Sequence, residues 1–197
     1  KKDMDRLEEF YIKWNYRKSK ITFGKQLLNT PFINLQDGRM RPTGVEGIYA
    51  EFNELKHTKL EGGLLYAISP RSTTKWYSIK ESIGVYPSGL SEDGKKSNYS
   101  GNLSSNYVAL VGLHHEVSKS FKFHVWNVYV DQIFNTTLQQ LDYTKQLQSD
   151  KKVFASLQSI QQFAVKNGGN IDPSKAYILP VSKAFTYGAR VGLATRR

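Results

Sequence analysis

Between Asn29 and Thr43 the chain places Asp37, Arg39 and Arg41 within five residues. Pro31 and Pro42 restrict the backbone there, and Gly38 permits a tight turn. Opposite charges facing one another across a narrow pore set up a transverse field that selects charged solutes. The same residues suit a solvated surface loop with a local Asp–Arg pair, which is worth little energetically. Residue types alone leave both readings open.

Signals for catalysis are poor. His114 and His115 are neighbours on an expected strand, so they point to opposite faces and cannot chelate one ion together. His124 comes near one of them across a hairpin, but no carboxylate or Cys cluster accompanies it, and a metal site is not expected. No G-x-S-x-G elbow, P-loop or dinucleotide fingerprint occurs. The adjacent pairs Glu8–Glu9 and Glu92–Asp93 carry no sign of acid–base work.

The segments around these residues read mainly as β. From Glu8 to Tyr16, Phe10, Ile12, Trp14 and Tyr16 share one face; Glu9, Tyr11, Lys13 and Asn15 share the other. Trp14 and Tyr16 precede the turn Arg17 to Lys20, where an aromatic pair suits a bilayer interface. An ordinary strand over a soluble core fits this pattern equally well. A second strand is expected from Lys20 to Leu27, with Lys25 on its apolar side unless an interface or a bend places it elsewhere. Strands follow over Val45 to Phe52 and Lys59 to Ile68, the latter with Gly62 and Gly63 as a candidate bend or bulge.

Residues 69–104 read as a long external loop with local structure around Trp76 to Val85. A hairpin runs from Asn106 to Val117 and Phe121 to Asp131, and another from Thr136 to Leu147 and Val153 to Val165. Leu138, Leu141, Lys145 and Gln148 also fit a helical spacing; the polar turn Ser149 to Lys152 between runs of similar length favours strands. Asn167 to Pro180 is loop-like, and a last strand begins near Lys183. Short turns alternating with long loops point to an outer-membrane barrel. No linker divides residues 1–197, which read as one domain.

Composition agrees with this without compelling it. There are 28 Lys and Arg against 17 Asp and Glu, a net charge of +11, so an anionic partner is expected: nucleic acid, a membrane surface, or anionic solutes drawn into a basic pore. The basic residues are dispersed, and no recognition helix, RNP or zinc-finger pattern accompanies them, so nucleic acid is not expected. The absence of Cys excludes disulfides and thiolate sites. No apolar run approaches the roughly 18 residues of a membrane helix. A mean hydropathy of −0.51 suits a soluble protein and a barrel alike. No signal peptide is visible and Arg190 to Arg197 reads as an interrupted strand, so the sequence is expected to be a fragment.

Thr22 to Gln26 (TFGKQ), Pro31, and Asp37 to Pro42 (DGRMRP) resemble the OprD family of Gram-negative outer-membrane porins. Phe23, Gly24, Gln26, Pro31, Asp37, Gly38, Arg39 and Pro42 match its motif in order and at similar spacing. The resemblance implies an all-β transmembrane antiparallel barrel, an up-and-down meander of about eighteen strands, of which this chain supplies about eight or nine. It implies a loop at 29–43 folded into the lumen, and passage of small water-soluble, often carboxylate-bearing molecules along basic side chains. The family's loop Arg maps to Arg39 and its acidic residue to Asp37. Arg41 stands where the family often has an apolar residue, so it is a pore candidate by position only. Lys13 is a ladder candidate from strand phase alone.

The expected partners are small solutes and outer-membrane lipid, with no cofactor, no nucleic acid and a homo-oligomer left open. Two rivals remain: a soluble basic β-sandwich binding anionic polysaccharide, and a small structural barrel. A sandwich buries Phe10, Ile12 and Trp14 against a second sheet, whereas a porin turns them to lipid.

Overall fold

The computed structural model describes residues 5–35, 41–91, 94–147 and 151–195. They form one antiparallel meander: β1 (Phe10–Tyr16), β2 (Ser19–Gln26), β3 (Gly44–Phe52), β4 (Thr58–Ser69), β6 (Val108–Glu116), β7 (Phe121–Val130), β8 (Phe134–Gln146), β9 (Lys151–Ala164) and β10 (Lys183–Thr195), each paired with the next. The two-residue β5 (Tyr77–Ser78) pairs with β4 and leads into α1 (Ile79–Ile83). Strands β8, β9 and β10 run 13, 14 and 13 residues, longer than the roughly 9–11 that a tilted strand needs to cross a bilayer.

The Gln-rich stretch is strand, not helix: alternation places Leu138 inward and Gln139 outward against β9. The bulge expected at Gly62 and Gly63 lies elsewhere. The β3–β4 register shifts between Glu46 and Gly47, where Tyr66 is the extra residue on β4. Gly63 instead gives room to Tyr49, whose ring a Cβ there would meet at 2.8 Å. Lys25 lies near a strand end, paired with Glu46 and 4.6 Å from the Trp76 ring centroid, which accommodates its charge on an otherwise apolar face.

All turns at one end of the sheet are short. The other end carries the excursion after β2 and the segments 70–107 and 165–182. One connection at that end departs from the expected alternation, because β7 and β8 are joined by residues 131–133 alone. There Gln132 takes a positive φ of 65°, and Asp131 accepts from the Asn106 backbone and side-chain N–H groups at 3.1 and 3.2 Å. The tight corner thus anchors the end of the longest connection.

The core lies on one face of the long-loop half. Val45, Tyr49, Leu65, Val108, Leu110, Val128 and Val130 project from successive strands. Leu28, Phe32 and Ile33 from the excursion, Ile79 and Ile83 from α1, and Tyr99, Leu103, Ile133 and Ile178 pack against them. The face they cover is the inner one. Burial of a side chain such as Ile79 contributes about 1.5–3 kcal/mol, which holds α1, too short to be stable alone, against the wall. Tyr99 and Tyr177 meet edge to face at 5.0 Å, joining two of the loops. Burial beside Tyr99 raises the Tyr177 phenol above its ordinary range.

Candidate functional site

Toward the short turns the inner face turns polar. In β4, Leu65 gives way to Glu61 and Lys59; in β6, Leu110 gives way to His114; in β7, Trp126 gives way to His124 and Lys122. Strand register sets these side chains side by side in one continuous row. Lys20 Nζ lies 2.8 Å from Glu51 Oε1, and Lys59 Nζ bridges Glu51 Oε2 at 3.4 Å and Glu61 Oε1 at 3.0 Å. Glu51 and Glu61 stand directly opposite, a pairing that costs energy unless a cation separates them, and Lys59 does so. Tyr49 Oη donates to Glu61 Oε2 at 2.9 Å.

Across β6 and β7 the row passes through imidazoles. His114 Nε2 is 2.8 Å from Glu61 Oε1, His114 and His124 face each other Nδ1 to Nδ1 at 2.7 Å, and His124 Nε2 is 3.5 Å from Asp142 Oδ2. Gln140 donates to Asp142 Oδ2 at 2.7 Å, Ser156 donates to Asp142 Oδ1, and Arg190 reaches Ser156 Oγ at 3.4 Å. The contacts therefore run without a break from β2 to β10. At their far end Lys122, Lys152 and Arg190 border an open recess of about 440 Å³ with Asp142, Ser156 and Phe154. Gly112 is the small residue that lets Trp126 lie across the wall above the row, since a Cβ there would meet the indole at 2.9 Å.

The structure brings one expected site residue to this row. Lys13 lies on the inner face opposite Thr22, its Nζ 5.3 Å from the Tyr11 ring centroid, and shares a groove with Lys20 and Glu51. Arg41 is half-buried, and its carbonyl accepts from Ser72 N–H at 3.1 Å, on the long-loop side. Asp37 and Arg39 lie outside the described residues. The described flanks of their loop meet where Thr43 N–H donates to Leu35 O at 3.2 Å. Arg6, its side chain 1% exposed, clamps the return of that loop by donating to Pro42 O at 2.9 Å and to Ser69 Oγ at 3.0 Å. Among the described residues, no group of three or more His, Asp and Glu is placed to hold a metal ion.

The opposite face is apolar and open. Phe10, Ile12 and Trp14 are 74%, 76% and 61% exposed, which excludes the sandwich alternative, where a second sheet covers them. Trp14 stacks on Tyr16 at 5.9 Å, and Phe121 meets Tyr143 at 4.8 Å, both near the short turns. Tyr66, Tyr129 and Phe163 lie toward the other end, with Ile48, Leu64, Val111 and Leu157 between. Aromatic borders around an aliphatic band, on long strands with a polar inner face, define a transmembrane β-barrel wall.

Residues 6–189 match the family of outer membrane porins called OprD. The chain belongs to that family, whose members are channels of the bacterial outer membrane and not enzymes. Among solved structures, that of Pseudomonas aeruginosa OpdK with vanillate superposes with a TM-score of 0.71 at 14% identity, covering 94% of this chain and 43% of that one. OccK8 (OprE) of the same organism gives 0.69 at 17%, covering 94% and 46%. OccK2 (OpdF) in complex with glucuronate gives 0.62 at 16%, covering 92% and 44%. The chain thus spans less than half the length of these structures, and at such identities the likeness is one of fold. The comparison with curated protein sequences finds no match.

Sequence reasoning missed most of the row. Lys20, Glu51, Lys59, Glu61, Asp142 and Arg190 carry no motif. The available signal was phase: on consecutive strands each falls on the face opposite the aromatic one, at a similar distance from a short turn.

Proposed function

We propose that this chain forms part of a passive diffusion channel for small water-soluble solutes, favouring anionic or zwitterionic ones. The observation that carries the reading is the row from Lys20 to Arg190 across the inner wall. A wall whose polar side chains already satisfy one another offers a solute exchangeable partners, so the solute can bind and leave along the row. Arg190, Lys122 and Lys152 border the most basic part of it. The ligands named for OpdK and OccK2, vanillate and glucuronate, are both carboxylates, which suits such a wall.

In this reading residues 29–43 form the constriction. Arg39 and Arg41 lower the electrostatic cost of an anion there, while Asp37 orients them or meets a cationic group on the solute. Lys13 extends the basic side of the row at β1. Phe32 and Ile33, packed on the inner face, support the loop. The unpaired edges of β1 and β10 are satisfied by further strands in the working barrel, because a bilayer offers them no hydrogen-bond partner. The net charge of +11 raises the local anion concentration, an effect that fades with salt.

Ion selectivity of the full-length protein in planar bilayers tests this. Anion permeability above cation permeability is expected, with a lower ratio in Arg39→Ala. Equal permeabilities that the substitution leaves unchanged would contradict the reading.

A further inference from the structure

The imidazole pair at the middle of the row has a consequence of its own. His114 and His124 are directly opposed on β6 and β7, and their Nδ1 atoms are 2.7 Å apart. At that distance one proton lies between the two nitrogens, and two would place N–H against N–H. His114 Nε2 faces the Glu61 carboxylate at 2.8 Å and so carries a proton. His124 Nε2 faces Asp142 Oδ2 at 3.5 Å and gains from a proton as well. Three protons on four nitrogens, one shared positive charge, satisfy every contact at once. A fourth proton breaks the bond between the rings.

The other groups around the pair fix what that charge does. Lys59 and Glu61 face it from β4, with Tyr49 of β3 on the far oxygen of Glu61. From β7 come Trp126, its ring 5.3 Å from that of His114, and Lys122; from β8 come Gln140 and Asp142. Lys122 is paired with Glu116 at 2.5 Å. Within the row, Lys20 and Lys59 are paired with Glu51 and Glu61. Lys13, Lys152 and Arg190 add fixed positive charge, and the imidazoles add the part that protonation can change.

The geometry points to the His114–His124 pair as a selectivity-determining element: its protonation adds positive charge to the row and strengthens the preference for anions. This rests on the channel reading above. Neutral at high pH, the pair adds nothing to the fixed charge of the row; with its shared proton it adds one positive charge; with the second proton the rings part and it adds another. The anion-to-cation permeability ratio therefore rises as pH falls.

The test is reversal-potential measurement on the full-length protein in planar bilayers at low ionic strength, from pH 8 to pH 5. The ratio is expected to rise roughly sevenfold, because one unit charge about 7 Å away in water favours an anion and disfavours a cation by about threefold each. His124→Gln and His114→Gln should each reduce that rise and the double variant should remove most of it, with heat-modifiable gel migration showing that the variant barrels are folded. A ratio independent of pH in the wild type overturns the proposal, as does a pH step that survives in the double variant. Nitrogen-15 NMR of the imidazoles in micelles reads the pair without relying on conduction. One proton shared between the two Nδ1 atoms is expected, and Nδ1 atoms that hold or lack protons independently overturn it. A shared proton in a protein that passes no ions overturns the channel reading, and the selectivity role with it.

Discussion

The two halves of the inner face are built on the same strands yet behave as different materials. Toward the long loops, Leu65, Val108, Leu110, Val128 and Val130 are closed over by Ile79, Ile83 and the excursion after β2. Toward the short turns, the same strands present Glu61, His114, His124 and Asp142, which contact one another from strand to strand. The apolar half is held by burial, and removing a side chain from it leaves a void. The polar half is held by pairs that water can replace, so its residues are free to serve a passing solute. The contrast teaches that one wall carries a packed band and a polar band, a division made by which residue types follow the same alternation, and in the proposed channel stability falls to the first and selectivity to the second.

Three substitutions bear on that division, in falling order of effect. Ile79 is fully buried, and Ile79→Ala should cost about 2–5 kcal/mol locally through lost transfer and a residual cavity. Hydrogen exchange should then quicken in residues 70–107 while β8 and β9 keep their protection. Uniform quickening would mean that the two bands are not separable.

In the polar band, Lys20→Gln should change stability by no more than about 1 kcal/mol, as for other solvent-facing pairs. Its signature should be functional: a fall in the anion-to-cation ratio, larger at low salt. A large loss of stability with selectivity intact would reverse the roles assigned to the bands.

Smallest is the effect of pH on the loop at 165–182. Hydrogen bonds from the Ser174 hydroxyl and backbone N–H hold the Asp172 carboxyl below its ordinary value, helped by Lys175. A carboxyl lowered in the folded state contributes stability that is complete above its unfolded value, about 3.9 for Asp, and is lost as pH falls through the folded one. Exchange of the Ser174 amide should therefore quicken only under acidic conditions, and Asp172→Asn should make it faster at neutral pH.

How much of this was legible follows the same line. Alternation marked all of the long strands, because lipid outside and loops or water inside impose a period of two. It put Phe10, Ile12 and Trp14 on one face and brought His124 near the His114–His115 pair, leaving open whether that face meets lipid or a core. What alternation cannot supply is register. The extra residue at Tyr66 shifts β4 against β3. Without register, Lys59 cannot be seen to lie between Glu51 and Glu61, nor Arg190 to meet Ser156. Asp37 and Arg39 came from a motif and stand outside the described residues, so their role rests on resemblance and remains a proposal.

The central claim is that one face of this sheet lines water and the other meets lipid. Gln158 and Leu157 are neighbours on β9 with opposite orientations: Gln158 donates to Gln140 within the row, and Leu157 is 59% exposed on the apolar face. The chain has no Cys, so single substitutions Gln158→Cys and Leu157→Cys can be compared directly. With the full-length protein in a bilayer, a charged, membrane-impermeant thiol reagent should modify position 158 and reduce the current, while leaving position 157 unmodified. Equal modification at both positions, or reaction at 157 alone, would contradict the account.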